Sequence, residues 1–183
     1  MKYFLIITLC AMVMFSCNKS NQQFLSSEQR SWLENEAKKQ LAGCQITASD
    51  GTVLYTPDGE GNYAALWTRD FGYMVENVIE LIPVENVKAA IEYLLNGQRE
   101  DGCIPDRVQA DGLAVYSAGP VGNPLGDPPA DNTQFMVKLV ADYVEHTKDY
   151  EFFAQNSKKL VAAMDYTQRS EKGLVYIDPA NPH

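Results

Sequence analysis

Apolar side chains recur every three or four residues in five stretches of the chain, a spacing that places them on one face of a helix. These stretches are residues 26–43, 70–82, 84–97, 131–144 and 150–167. Only a few residues separate the second from the third, and the fourth from the fifth. Each of these two pairs therefore predicts an antiparallel helical hairpin, and the fold class is mostly α.

Shorter patterns between the helices predict β-structure in the connections. Residues 46–55 are rich in Thr, Val and Tyr around an Asp50-Gly51 turn, which indicates a short β-hairpin. Residues 113–116 and 173–177 are brief strand-like runs. Residues 117–130 are rich in Gly and Pro, a composition shared by flexible linkers and ordered functional loops. The position of this segment between two hairpins favours the ordered loop.

Charge narrows the range of partners. The chain has 183 residues and a formal net charge of −9, and 45% of its residues are apolar, as is usual for a globular protein. The negative charge disfavours nucleic acid as a partner, because proteins that bind nucleic acid present a basic face. It also disfavours strongly acidic polysaccharides, unless a local basic patch overrides the overall charge.

The N-terminus has the features of an export signal. Lys2 supplies positive charge, residues 3–15 form an apolar run too short to span a bilayer comfortably, and Cys17 follows a small residue. The arrangement resembles a bacterial lipoprotein signal peptide over residues 1–17, which implies lipidation of Cys17. Residues 18–25 predict a flexible tether. We therefore expect a lipid-anchored protein of the bacterial cell envelope. The alternative is an ordinary secretory peptide in which Cys17 is incidental.

Two further cysteines, Cys44 and Cys103, belong to the expected mature domain. An oxidising compartment permits a disulfide between them, and two buried free thiols are the simpler interpretation. The two histidines, His146 and His183, lie far apart in the sequence, and no Cys-x-x-Cys occurs. The sequence therefore indicates neither a metal site nor a cofactor.

The strongest candidate for a binding site is the Trp67-Thr68-Arg69-Asp70 segment, at the start of the second helical stretch. Trp67 offers a flat apolar face, Arg69 a fork of donors and Asp70 an acceptor. Sugars have apolar ring faces and neighbouring hydroxyls, so this set suits a polyhydroxylated ligand. A simpler interpretation is that Asp70 caps the helix and that Arg69 pairs with it at the surface.

A second motif follows about thirty residues later, where residues 98–106 read QREDGCIPD and end on the carboxylate of Asp106. Together, W-x-R-D and Q-x-x-D-G-x-I-P-D resemble the six-hairpin glycosidases, over residues 63–178. In these glucoamylase-like hydrolases, six helical hairpins form an (α/α)6 toroid around a sugar-binding funnel. The resemblance implies that Arg69 and Asp70 hold the non-reducing-end sugar, with Trp67 in the pocket wall and Asp106 at the funnel rim. A turn-forming role is the alternative for Asp106.

The resemblance also implies a partial domain over residues 26–183. Twelve helices of roughly 12 residues, with their connections, need well over 200 residues. Glycoside hydrolysis usually requires two carboxyl groups across the scissile bond, and the family carries them on later hairpins. We therefore expect the substrate-binding part to be present and leave the catalytic residues unassigned. Asp131 is predicted to be a helix N-cap, with a sugar contact as the alternative.

Three functions follow from these observations. The first, which we favour, is an exo-acting glycoside hydrolase, or its N-terminal portion, acting on neutral oligosaccharides at the cell envelope. The second is a non-catalytic carbohydrate-binding surface lipoprotein that retains the same pocket. The third is a structural or interaction protein of the envelope, in which these residues serve packing alone.

Overall fold

The computed structural model describes residues 24–123 and 125–175. The helices in this part of the chain are α1 (Ser27–Gly43), α2 (Thr68–Val78), α3 (Val84–Asn96), α4 (Asn132–Thr147) and α5 (Tyr150–Tyr166), with a 3₁₀ helix at Ile79–Leu81. The strands are β1 (Gln45–Thr47), β2 (Val53–Tyr55), β3 (Ala65–Trp67), β4 (Arg107–Gln109) and β5 (Ala114–Val115). The prediction of a mostly helical chain with short strands in its connections is confirmed.

The chain divides into two compact units at Glu36 and Ala37, inside α1. In the first unit, the backbone N–H of Gln29 donates to Ser26 Oγ at 3.1 Å, and the Ser26 N–H donates to Gln29 Oε1 at 2.8 Å. This reciprocal pair is a capping box, and it marks the start of the predicted helical stretch 26–43. The second unit contains every other element described below.

Helices α4 and α5 form the antiparallel hairpin that their spacing predicts. Lys148 adopts the left-handed conformation after α4, with φ of 62°, and Asp149 caps α5 by accepting a hydrogen bond from the Phe152 N–H at 3.0 Å. The rings of Tyr143 and Phe152 meet edge to face across the hairpin, with their centroids 5.2 Å apart. Two residues are thus enough to reverse the chain.

The predicted packing of α2 against α3 as a hairpin is not found: α2 lies along α4, and its contacts with α3, the helix that follows it, are sparse. The 3₁₀ helix and Pro83 lengthen the connection after α2, and α3 lies instead against β2 and α4. Three contacts define how α2 and α4 are arranged. They join Arg69 to Asp131, Tyr73 to Phe135 and Glu76 to Lys138, and each joins residues 62 positions apart. A constant separation means that the two helices run parallel and in register, with their N-termini at the same end.

The core of the second unit is formed by the apolar faces that the periodicity predicts. On α2 and the segment after it, Phe71, Val75, Ile79 and Ile82 are buried, and on α3 the buried face includes Val87, Ile91, Leu94 and Leu95. Cys44 and Cys103 are both buried and free, which agrees with the simpler of the two interpretations. Burial raises the pKa of both thiols. Within the described residues, no helix combines the length and apolar character needed to cross a membrane.

Two antiparallel sheets connect the helices. Strands β1 and β2 form the predicted hairpin around Asp50-Gly51, with Ile46 opposite Leu54. Strands β3, β4 and β5 form a second sheet in that order, and in it Trp67 lies opposite Arg107. Only β5 of this sheet was predicted. The pairing of β3 with β4 matters most for function, because it brings the two sequence motifs side by side.

Candidate functional site

The start of α2 is fixed to the second motif by Thr68. Its backbone N–H donates to the Asp106 carbonyl at 3.0 Å, and its hydroxyl donates to the Pro105 carbonyl at 2.6 Å. The Thr68 side chain is fully buried, so these bonds are shielded from water. These hydrogen bonds therefore hold residues 67–70 directly against residues 104–107.

Asp106 lies at the centre of this structure. Its side chain is 2% exposed and forms ion pairs with Arg107, at 3.2 Å, and with Arg69, at 3.8 Å. A buried carboxylate needs such partners, since an unpaired charge in the interior is costly. Asp106 is therefore a buried residue, and its place at a funnel rim stays a prediction. The structure gives it the role of orienting two arginines, and a direct contact with substrate stays a prediction.

Arg107 connects the site to the Gly/Pro-rich segment. Its guanidinium lies 4.6 Å from the Trp67 ring centroid, a cation–π contact. It also donates to the carbonyls of Ser117, at 3.3 Å, and Gly119, at 2.5 Å. The side chain of Arg107 is 6% exposed, and a buried guanidinium of this kind fixes several groups at once. The first residues of the 117–130 segment are thereby held beside Trp67, as expected of an ordered loop.

Arg69 joins the N-terminus of α2 to that of α4. Its guanidinium donates to Asp131 Oδ1 at 3.2 Å, and the two side chains are 36% and 50% exposed. Asp131 occupies the N-cap position of α4, as predicted, but its side chain makes no capping hydrogen bond. The carboxylate turns to Arg69 instead. The expectation that Arg69 pairs with Asp70 at the surface is replaced by this longer-range pair.

Asp70 lies in the first turn of α2 and does not cap it. The helix begins at Thr68, and the N-cap residue is Trp67, which makes no side-chain cap hydrogen bond. The interpretation of Asp70 as an N-cap is therefore wrong. Burial raises the pKa of its carboxyl, while Arg69 opposes the shift and Asp106 adds to it. Asp70 is thus a partly buried acceptor beside a cation, and it binds a proton more readily than an exposed aspartate.

Two buried polar groups at this end of the helices have no hydrogen-bond partner among residues 24–123 and 125–175. They are the indole Nε1 of Trp67 and the side-chain amide of Asn132, the first residue of α4. The Asn132 residue is 1% exposed. Trp67 itself is half-buried, and Tyr63 meets its ring edge to face at 5.6 Å.

The structure brings together Trp67, Arg69, Asp70 and Asp106, the four predicted binding residues. Sequence reasoning missed Arg107 and Asn132, which stand next to predicted residues in the chain. Nothing in the local pattern singles them out, because Arg107 is distinguished by its contacts with Trp67 and the Gly/Pro-rich segment, and Asn132 by the lack of a hydrogen-bond partner among the described residues. Cys17, the predicted lipidation site, lies outside the described residues. Asp101, which carries another carboxylate of the second motif, forms an ion pair with Arg99, with Arg99 Nη2 and Asp101 Oδ2 2.6 Å apart.

The arrangement has the chemistry of a site for polar, uncharged groups. Two arginines and two aspartates are joined by ion pairs, Asp70 lies beside Arg69, and Arg107 stacks on the Trp67 ring, which gives many donors and acceptors and little net charge. Within the described part of the chain, no group of three or more His, Cys, Asp or Glu side chains is placed to hold a metal ion. Comparisons of the chain with protein-family models, curated proteins and solved structures find no match.

Proposed function

We propose that this chain is a carbohydrate-active protein, an exo-acting glycoside hydrolase or its N-terminal portion, which binds the non-reducing end of a neutral oligosaccharide at the cell envelope. The observation that carries the proposal is the junction of the two motifs. The pairing of β3 with β4, together with the Thr68 hydrogen bonds, sets Trp67, Arg69 and Asp70 against Asp106.

The donors and acceptors of this site support a sugar as the ligand. A sugar hydroxyl both donates and accepts, and adjacent hydroxyls match the fork of Arg69 and the acceptor oxygens of Asp70. Arg69 and Asp131 are partly exposed, so a ligand reaches them from solvent. The aspartates outnumber the arginines, which favours a neutral sugar over an acidic one.

The arrangement of the helices supports the proposed architecture. In a toroid of hairpins, helices of one ring run parallel, and each is linked to the next through an antiparallel helix. Helices α2 and α4 run parallel and in register, and α5 returns antiparallel to α4. We assign α2 and α4 to the inner ring, because their N-termini carry the candidate site.

The test of this function is calorimetric titration of the purified protein with glucose, mannose, galactose and neutral oligosaccharides built from them. Binding of at least one of these sugars is expected, and replacement of Arg69 by Lys should weaken it about tenfold or more, because a point charge does not reproduce the bidentate fork. Arg99→Lys is the matched control, because Arg99 also makes a bidentate contact with an aspartate, Asp101, and its side chain is 42% exposed. Equal affinities for wild type and Arg69→Lys would exclude the assignment.

A non-catalytic carbohydrate-binding surface lipoprotein is the second candidate function. It shares the pocket, and the partly exposed Arg69–Asp131 pair supports it equally well. The two candidates separate in an assay for reducing ends released from the oligosaccharide that binds most tightly. Release that depends on Arg69 supports the hydrolase, and binding without release supports the second candidate.

We also propose that the protein is anchored to the envelope through a lipid on Cys17, with residues 1–17 removed as the signal peptide. Its support is the order of Lys2, the apolar run and Cys17 in the sequence. Cys17→Ser should move the protein from the membrane fraction to the soluble fraction after lysis. Retention of the Cys17→Ser protein in the membrane fraction would contradict lipid anchoring at this position.

A further inference from the structure

We propose that Asn132 is an additional sugar-binding residue, whose buried side-chain amide, together with the indole N–H of Trp67, hydrogen-bonds hydroxyls of the bound ligand. This inference rests on the proposed function and extends it to a second wall of the site, formed by the N-terminus of α4. Neither the local sequence nor either motif assigns a role to Asn132.

The unusual state of Asn132 is the starting observation. Both polar atoms of its side chain, Oδ1 and Nδ2, are buried and have no hydrogen-bond partner in the part of the chain that the structure describes. Most buried polar side chains in proteins are hydrogen-bonded, because burial without a partner is costly. The neighbouring Thr133 follows this rule, since its hydroxyl lies 2.7 Å from Thr167 Oγ1. Asn132 is therefore an exception that calls for an explanation.

The position of Asn132 places it at the candidate site. It is the first residue of α4, and Trp67, whose Nε1 also lacks a partner, directly precedes α2. The pair of Arg69 and Asp131 joins these two helix N-termini at 3.2 Å. The two unpartnered groups thus lie within two residues of the ion-paired Arg69 and Asp131, one at the N-terminus of each parallel helix.

The chemistry of the two groups favours hydroxyls as their ligand. The indole N–H only donates, whereas the amide of Asn132 donates through Nδ2 and accepts through Oδ1. A hydroxyl accepts from one group and donates to the other. Helix N-termini alone would also suit an anion, but the three aspartates at this end outnumber the two arginines and leave no net positive charge to attract one. A neutral polyol is consistent with all of these groups.

We expect a ligand to reach Asn132 by opening the neighbouring ion pair of Arg69 and Asp131. Asp131, the residue before Asn132, has a half-exposed side chain, so solvent already reaches the adjacent position. Its ion pair with Arg69 is of the exposed kind, which contributes little to stability and costs little to open. A sugar that takes the fork of Arg69 separates it from Asp131 and uncovers the start of α4.

The main test compares the stability and the sugar affinity of Asn132→Leu with those of the wild type. Leu has a similar volume and no polar atoms, so the melting temperature of the free protein should stay unchanged or rise. The affinity for the neutral sugar that binds the wild type most tightly should fall about 5- to 100-fold. Thr133→Val is the matched control, because it removes a satisfied buried hydroxyl. It should lower the melting temperature and leave the affinity unchanged.

A second measurement uses the wild-type protein and does not depend on the folding of any site variant. The chain has two tryptophans, so Trp32→Phe identifies the indole N–H resonance of Trp67. On titration with the same sugar, this resonance and one asparagine side-chain amide pair should shift together.

The possible outcomes separate the inference from the proposed function. Unchanged affinity of Asn132→Leu, or an indole resonance that does not move, overturns the inference while sugar binding that depends on Arg69 stands. Failure of every neutral sugar to bind the wild type overturns the proposed function and the inference with it. Loss of affinity with unchanged or increased stability in Asn132→Leu supports both.

Discussion

Arg107 lies directly opposite Trp67 in the β3–β4 ladder, and its guanidinium stands 4.6 Å from the centre of the indole ring. The same guanidinium pairs with Asp106 and binds two carbonyls of the Gly/Pro-rich segment. One buried cation thus fixes an aromatic wall, a carboxylate and a loop. We conclude that the shape of the candidate site depends on Arg107 even where Arg107 is not expected to touch the ligand.

Replacement of Arg107 by Met should destabilise the protein strongly. Met keeps much of the apolar volume but leaves Asp106, which is 2% exposed, without its nearest cation. Removal of one partner of a buried ion pair typically costs about 3–5 kcal/mol, and Arg69, 3.8 Å from Asp106, should limit the loss to about 3 kcal/mol. The free energy of unfolding in urea measures it.

A double variant separates the ion pair from the other contacts of Arg107. Asp106→Asn in the Arg107→Met background removes the orphaned charge, so the double variant should be more stable than Arg107→Met alone. Additive losses would show that the two side chains act independently and that the pair contributes little.

Replacement of Asp70 by Asn should stabilise the protein at neutral pH. Because burial raises the pKa of this carboxyl above its ordinary 3.8, the native chain keeps a proton at pH values where the unfolded chain has lost it. The stability contributed by the group is therefore complete below pH 3.8 and is lost as the pH rises through the folded pKa. Asp70→Asn escapes this loss, so its advantage over wild type should grow with pH above 3.8.

Unfolding curves recorded from pH 3 to pH 8 test the sign of this effect. Asp101→Asn is the control of opposite sign, because hydrogen bonding from Arg99 lowers the pKa of Asp101. Its wild-type contribution is present above the ordinary pKa and is lost as the pH falls. A constant difference between wild type and Asp70→Asn across the range would show that burial does not govern Asp70.

Replacement of Gly102 by Ala should be among the most harmful single changes outside the core. Gly102 has a φ of +93°, and an added Cβ would lie 2.1 Å from the Ala162 carbonyl oxygen on α5. Gly51→Ala is the matched control, since Gly51 has a φ of +91° with open space around it. We expect a loss of about 1–2 kcal/mol at Gly51 and about 3 kcal/mol or more at Gly102. Similar losses at the two positions would mean that backbone strain alone matters.

The helices could be predicted because their signals are local. Ser26 and the apolar spacing mark the start of α1, and the two-residue turn at Lys148 and Asp149 follows directly from the gap between α4 and α5. The apolar face of α2 was also correct, since Phe71 and Val75 are both fully buried. Periodicity of this kind predicts which side of a helix is buried, but it does not indicate which other helix packs against that side.

The site could be predicted only in part because its bonds connect distant residues. Strands β3 and β4 have three residues each, too few for an alternating pattern to stand out, and their pairing spans about forty positions. Asp70 and Asp131 follow the usual preference of aspartate for helix starts, but the side chain of Asp131 reaches Arg69, 62 positions away, and α2 begins before Asp70. The unpartnered amide of Asn132 has no sequence signal, because the lack of a hydrogen-bond partner depends on which residues of the folded chain lie around it.

The most direct test of the central claim is a map of backbone amide NMR shifts during titration of the wild-type protein with the tightest-binding neutral sugar. If the two motifs form one sugar site, the shifts should cluster at residues 67–70, 106–107 and 131–132, on β3, β4 and the N-termini of α2 and α4. Shifts confined to other surfaces, such as the group around Arg99, Tyr116 and Tyr166, or no shifts with any neutral sugar, would contradict the claim.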